Sequence, residues 1–221
     1  MARLARIVVP GLPHHITQRG NRRETVFFSD EDYQAYLDLL KAALDKTQSE
    51  IWAWCLMPNH VHLIVVPSHE DGLRQVVADA HRRYARRVNA RNQWTGHFWQ
   101  GRYGSVVLDE PHLVNAIAHI SLNPVRAGLV KRAQDWKWSS VHAHLAGKDD
   151  SLTTVAPVLS RIPDFAAFLD EPRDDAVFDP LRRAEAIGRP LGDIAFLADL
   201  EKRLGRQLQP QKRGPKPKDK E

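Results

Sequence analysis

Hydrophobic and polar positions divide most of the chain into strand-like and helix-like stretches. Residues 6–10 and 14–18 are rich in β-branched side chains, and a first strand is expected over 14–19. Ser29-Asp30-Glu31-Asp32 is a helix start, with Ser29 as N-cap and an acid three positions on. Tyr33, Tyr36, Leu37, Leu40, Ala43 and Leu44 then recur at helical spacing to about Lys46. A strand follows over 51–56, and Met57-Pro58-Asn59 reads as a turn, since Pro58 cannot donate to a ladder. In the next strand His60, His62, Ile64 and Val66 share one face, and Val61, Leu63 and Val65 the other. Both faces are apolar apart from the histidines, so this strand is expected to be central in its sheet.

A long helix is expected over 73–89, with Leu73, Val76, Val77, Ala80, Tyr84 and Val88 in one apolar stripe. A further strand is expected over 102–108, where Tyr103, Ser105 and Val107 alternate with Gly104, Val106 and Leu108. Asp109-Glu110-Pro111 opens another helix that runs to about 122. Leu113, Ala116, Ile117 and Ile120 form its packing side, while Asn115, His119 and Asn123 share a second face. Asn123-Pro124 is expected to interrupt this helix, with Asn123 suited to cap the turn that Gly128 closes. Trp136, Trp138 and Val141 suggest a segment packed back onto the domain.

This order of elements predicts an α+β fold, a ferredoxin-like antiparallel sheet with helices packed on it, over residues 1–147. Gly147-Lys148-Asp149-Asp150 is a plausible boundary to a small helical C-terminal extension over 148–208. The extension has short amphipathic stretches at 155–159 and 165–169, a polar linker over 170–179, and helices at 181–187 and 194–204, the last capped by Asp193. A basic, proline-rich tail over 209–221 is expected to be disordered; Lys212-Arg213-Gly214-Pro215-Lys216-Pro217-Lys218 weakly resembles a minor-groove AT-hook, and a plain solubilising tail fits it equally well.

Composition adds less than placement. The net charge is only +5, but no acid occurs from His81 through Arg102, and Arg82, Arg83, Arg86 and Arg87 lie mainly opposite the apolar stripe of their helix. A phosphate-contacting face fits this better than an ordinary solvated one, where signs mix. Trp94, His97, Phe98, Trp99 and Tyr103 stand among Arg91 and Arg102, and a mixture of core and base-stacking roles is expected. The single cysteine, Cys55, excludes an internal disulfide and a cysteine-rich zinc site and is expected in the core. No stretch is long and apolar enough for a membrane span, and a cytoplasmic location is expected.

His60 and His62 carry the candidate chemistry. A polar pair at one end of a buried strand needs partners: a metal ion, or hydrogen bonds at a sheet end. The string Met57-Pro58-Asn59-His60-Val61-His62-Leu63-Ile64-Val65, with Trp99-Gln100-Gly101-Arg102 and Leu122-Asn123-Pro124-Val125-Arg126-Ala127, resembles the HUH tyrosine transposases. Within them it is most similar to the REP-associated tyrosine transposases of bacteria, and the resemblance covers about residues 5–145. It implies an enzyme that cuts and rejoins single-stranded DNA beside imperfect hairpins, with Mg²⁺ or Mn²⁺ held by His60, His62 and Asn123. It also implies a nucleophilic tyrosine four residues before Asn123, but that position holds His119. His119 then has three readings: a nucleophile, a metal ligand or base for hydrolysis, or the mark of lost chemistry on a hairpin-binding module. DNA contacts are expected from Arg19, Arg22 and Arg23, from Arg82, Arg83, Arg86 and Arg87, and from Arg102. A hydrolase of small phosphoesters is disfavoured, because a small substrate needs no such track of charge.

Overall fold

Strand β1 (His14–Arg19) forms over the expected residues and lies inside the sheet. This structure, a computed structural model, describes residues 6–208; the N-terminal stretch 1–5 and the basic tail lie outside the described residues. Helix α1 (Asp30–Thr47) leads to β2 (Glu50–Met57), which turns through Pro58 and Asn59 into β3 (His60–Val66). A π-helical stretch, Arg74–Ala78, runs into α2 (Asp79–Asn92), and β4 (Gly104–Val107) completes the sheet. The strand order is β2-β3-β1-β4 with every pair antiparallel, the ferredoxin-like arrangement predicted above. Strand β4 is shorter than expected: Leu108 bonds to the carbonyl of Pro13, beyond the end of β1.

The two sheet faces have different cores. Val61, Leu63 and Val65 pack with Ile16 against Tyr36 and Leu40 of α1 and Tyr84 and Val88 of α2. Ile64 and Val106 pack on the other side, against Leu113, Ala116 and Ile117 of α3 (Glu110–Arg126). Burying a side chain such as Leu or Val stabilises by about 1.5–3 kcal/mol, so this two-sided burial keeps the register of β3 from slipping. Ser29 stands at the start of α1 but makes no side-chain cap bond. Asp32 instead accepts from the Phe28 N–H at 3.0 Å and from Arg91 at 2.6 and 2.9 Å, tying α1 to α2.

Helix α3 departs from expectation. It continues through Pro124 to Arg126, so Asn123 is helical and caps no following turn. Pro124 lies in the last turn, where its missing N–H forgoes one helical bond to the Ile120 carbonyl, while its ring is buried. Gly128 (φ 68) and Leu129 then return their N–H groups to Val125 and Pro124, a Schellman closure.

The residues after α3 cover both sheet edges. Ser140 exchanges bonds with Trp54, Trp136 Nε1 donates to the Leu56 carbonyl, and Leu191 bonds beside Val107. Such cover removes exposed strand edges that would pair with other chains. Helices α4 (Val141–Ala146), α5 (Ala156–Leu159), α6 (Phe165–Asp170), α7 (Asp179–Ile187) and α8 (Ile194–Leu204) follow, with Asp193 capping α8 as expected. The 170–179 stretch is not merely a polar linker: Phe178 is buried and sits against His119.

Seven of the eleven histidines are buried: His14, His15, His60, His62, His81, His119 and His144. Burial holds His14 down to about 4 and His81 to about 3. The unfolded chain therefore binds more protons below pH 6.5 than the folded one, and stability falls as pH drops through that value until the folded pKa values are reached. Even three such histidines account for about 4 kcal/mol between pH 7.5 and 5.5, against a typical total of about 5–15. Urea unfolding at the two pH values is expected to show this loss; equal midpoints would contradict it.

Candidate metal centre

Alternation places His60 and His62 of β3, and His15 and Arg19 of β1, on the sheet face beneath α3. The β1–β3 register sets Thr17 opposite His62 and His15 opposite Ile64, so His15 reaches His62 diagonally. Helix α3 supplies His119, Asn123 and Arg126 along one stripe. Ring centroids lie 4.9 Å apart for His60–His62, 5.3 Å for His62–His119 and 5.2 Å for His15–His62.

Fixed neighbours decide where the protons sit. Asn59 Nδ2 donates to the Arg23 carbonyl at 3.1 Å, so its Oδ1 faces His60 Nδ1 at 2.6 Å. His60 must then carry its proton on Nδ1, which leaves the Nε2 lone pair free. Asn123 Nδ2 lies 3.4 Å from that Nε2, and rotating the amide by 180° would present its oxygen instead. His62 Nδ1 is 3.0 Å from His15 Nε2, while His62 Nε2 is buried with no partner. An orphaned nitrogen of this kind costs about 1–3 kcal/mol unless something binds it. Burial holds His60 down to about 3 and His62 well below its ordinary value, with like charges adding to both effects, so each is neutral at pH 7. His60 Nε2, His62 Nε2 and the Asn123 amide thus fit a divalent ion. His15, His62 and Glu185 are a second grouping with ligand atoms within 4.8 Å of one another.

His119 is differently placed. Arg126 donates to its Nδ1 at 2.9 Å, and a guanidinium can only donate. His119 is therefore neutral with its proton on Nε2; burial and then the Arg126 charge hold it down to about 3. Neither nitrogen offers a lone pair for attack or ligation in this arrangement, and Nε2–H is a donor. Arg126 is itself held by Asp175, which Arg182 also contacts at 2.6 Å, and it lies over the Phe178 ring at 4.8 Å. No tyrosine stands on α3 in place of His119: Tyr33, Tyr36, Tyr84 and Tyr103 belong to the core on the opposite sheet face, though Tyr103 also lines the cavity beside Arg19 and Glu185.

The expected DNA contacts fall into two groups. Arg19, Arg23 and Arg102 line a cavity of about 470 Å³ beside the histidines, with Arg6, Arg182 and Glu185. Arg22 is exposed in the adjoining loop. Arg82, Arg83, Arg86 and Arg87 are exposed on α2, which packs on the sheet's other face, so the structure does not bring them to the histidines. The aromatic segment is mixed as expected: Trp99 and Tyr103 are buried and Trp94 is exposed. Arg126, His15 and Glu185 were missed as site residues. Arg126 shares the His119 stripe once the helix is allowed past Pro124, whereas His15 depends on strand register and Glu185 carries no local signal.

Fold and site together define an α+β protein with a ferredoxin-like sheet and a buried His-X-His strand beneath a helix carrying a polar side chain. Residues 8–120 match the family profile "Transposase IS200 like", and the chain belongs to that family. It is 30% identical over 98 residues to the REP-associated tyrosine transposase of Escherichia coli (strain K12), covering 44% of this chain and 57% of the relative. It is 28% identical over 104 residues to a Haemophilus influenzae protein provisionally given the same designation, covering 42% of this chain and 59% of that one. The chain thus spans less than two thirds of either relative. A solved REP-associated tyrosine transposase bound to a REP hairpin matches with a TM-score of 0.55 at 23% identity, covering 70% of this chain and 92% of the other. That likeness shows the shared α+β fold. Among the described residues no helix is long and apolar enough to cross a membrane.

Arg126→Ala is expected to raise the His119 pKa from about 3, by roughly one unit or more once the adjacent charge is gone. An NMR pH titration reads this directly. An unchanged value would mean that Arg126 does not hold the ring.

Proposed function

We propose that the protein binds hairpin-forming single-stranded DNA of the REP type and seats a phosphate at the histidine centre, without a covalent tyrosyl-DNA step. His60, His62 and Asn123 would hold Mg²⁺ or Mn²⁺. When bound, such an ion polarises a phosphate and offsets its charge. His119 Nε2–H would donate to a phosphate oxygen, while Arg19, Arg23 and Arg102 in the adjoining cavity would neutralise the strand.

The observation that carries this reading is the state of His119. It stands where the family resemblance places a tyrosine, its one lone pair is taken by Arg126 at 2.9 Å, and no tyrosine lies on its helix. Support for the hairpin comes from the structural relative, which shares the fold and binds a REP hairpin.

Labelled hairpin single-stranded DNA, incubated with the protein and Mn²⁺, tests this. The hairpin is expected to be retained in preference to an unstructured strand, with no covalent adduct and no cleavage. A protein–DNA adduct or a cut strand would overturn the reading in favour of an active nuclease with His119 in a chemical role. Loss of preference for the hairpin would overturn the substrate assignment.

The α2 arginines contribute separately. Replacing both Arg83 and Arg86 by Glu is expected to weaken hairpin binding by roughly tenfold at low salt and to lower the salt slope by about two. A filter-binding series over salt concentration checks it; an unchanged slope would remove α2 from the interface.

A further inference from the structure

A line of polar atoms runs from the C-terminal extension to the histidine pair. Glu185 Oε1 on α7 lies 3.5 Å from His15 Nδ1, and His15 Nε2 lies 3.0 Å from His62 Nδ1. The two imidazole planes differ by only 8° with centroids 5.2 Å apart, the in-plane alignment of an N–H···N hydrogen bond. His15 Nδ1, Glu185 Oε1 and His62 Nε2 are all buried without a hydrogen-bond partner. One assignment of protons accounts for all three. Burial pushes the Glu185 carboxyl up to about 7; above that pH it is ionised and only accepts, so His15 carries its proton on Nδ1 and directs it toward Glu185. His15 Nε2 is then an acceptor, and His62 must supply the shared proton from Nδ1. His62 Nε2 is left with its lone pair, the same state that Asn59 imposes on His60 from the other side.

We propose that His15 and Glu185 are positioning residues that hold His62 in its Nδ1–H form, so that its Nε2 is presented to the same ion as His60 Nε2. The proposal rests on the reading of the ion site given above. Outer hydrogen bonds of this kind fix the tautomer and orientation of ligating histidines, and losing one costs about 10–100-fold in metal affinity. Glu185 lies beyond the family-matched residues 8–120, so the extension completes the support of the site rather than only packing on it. The alternative, an ion held by His15, His62 and Glu185 together, would break the 3.0 Å bond between the two rings or leave it beside the ion.

The test uses the full chain, labelled with ¹⁵N-histidine, without metal at pH 8. Long-range ¹H–¹⁵N spectra are expected to show His62 as the Nδ1–H tautomer. His15→Leu and Glu185→Ala should shift it toward Nε2–H, the form preferred in water. His15→Gln and Glu185→Gln should preserve it, because the amide oxygen still accepts. Mn²⁺ titrations followed by electron paramagnetic resonance should then show about tenfold weaker binding for His15→Leu and near-native binding for both Gln variants. Circular dichroism and melting confirm that each variant is folded.

An unchanged His62 tautomer in both His15→Leu and Glu185→Ala would overturn the proposal. So would loss of Mn²⁺ binding in Glu185→Gln with retention in His60→Ala, which would make Glu185 a ligand. Mn²⁺ binding that survives both His60→Ala and Asn123→Ala would instead sink the ion site, and the metal-free tautomers would still decide the relay.

Discussion

Four imidazoles buried at one end of a sheet must share a fixed supply of protons. A neutral imidazole has one donor and one acceptor, so each ring's state is settled by neighbours that can only give or only take. The Arg23 carbonyl, acting through Asn59, sets His60. The Arg126 guanidinium sets His119 in the opposite sense, with Nδ1 as acceptor. His62 is set through His15. The outcome is two free lone pairs on the strand and a donor on the helix, a division of roles that suits a cation and an anion held side by side.

The fold serves this division at several levels. Two-sided burial of β3 fixes which face carries the histidines. Gly20 lets the basic loop turn close against the β2–β3 hairpin, donating to the Asn59 carbonyl at 2.9 Å; a Cβ there would lie 2.3 Å from the Glu24 carbonyl oxygen. Continuation of α3 past Pro124 puts Arg126 on the same stripe as His119. The stretch after α6 then adds Asp175 to hold Arg126 and Phe178 to cover His119. The site therefore belongs to the transposase sheet and to its C-terminal extension together.

The sheet was legible because its signals are local: alternation over β3, helical stripes in α1 and α2, and a turn at Pro58 each act within a few residues. The family resemblance supplied the pairing of His60, His62 and Asn123. What stayed hidden depends on distant contacts. His15 is one of two adjacent histidines, and only the β1–β3 register separates it from His14, whose nitrogens are satisfied by Val9 and Leu12. Arg126 was obscured by the reasonable expectation that Pro124 ends the helix, which tertiary packing overrides. Glu185 lies in the helix expected over 181–187, but nothing local says that this helix meets β1, and Phe178 sits in the charged stretch before it.

The central claim is that the buried strand end is built to present two imidazole lone pairs and an amide to one divalent ion. A crystal structure of the protein grown with Mn²⁺, with anomalous diffraction recorded at the manganese edge, tests it most directly. The expected result is a single anomalous peak in contact with His60 Nε2, His62 Nε2 and the Asn123 side chain, with the His15–His62 bond intact. A peak bounded by His15, His62 and Glu185, or a saturated crystal with no peak at the histidines, would contradict it.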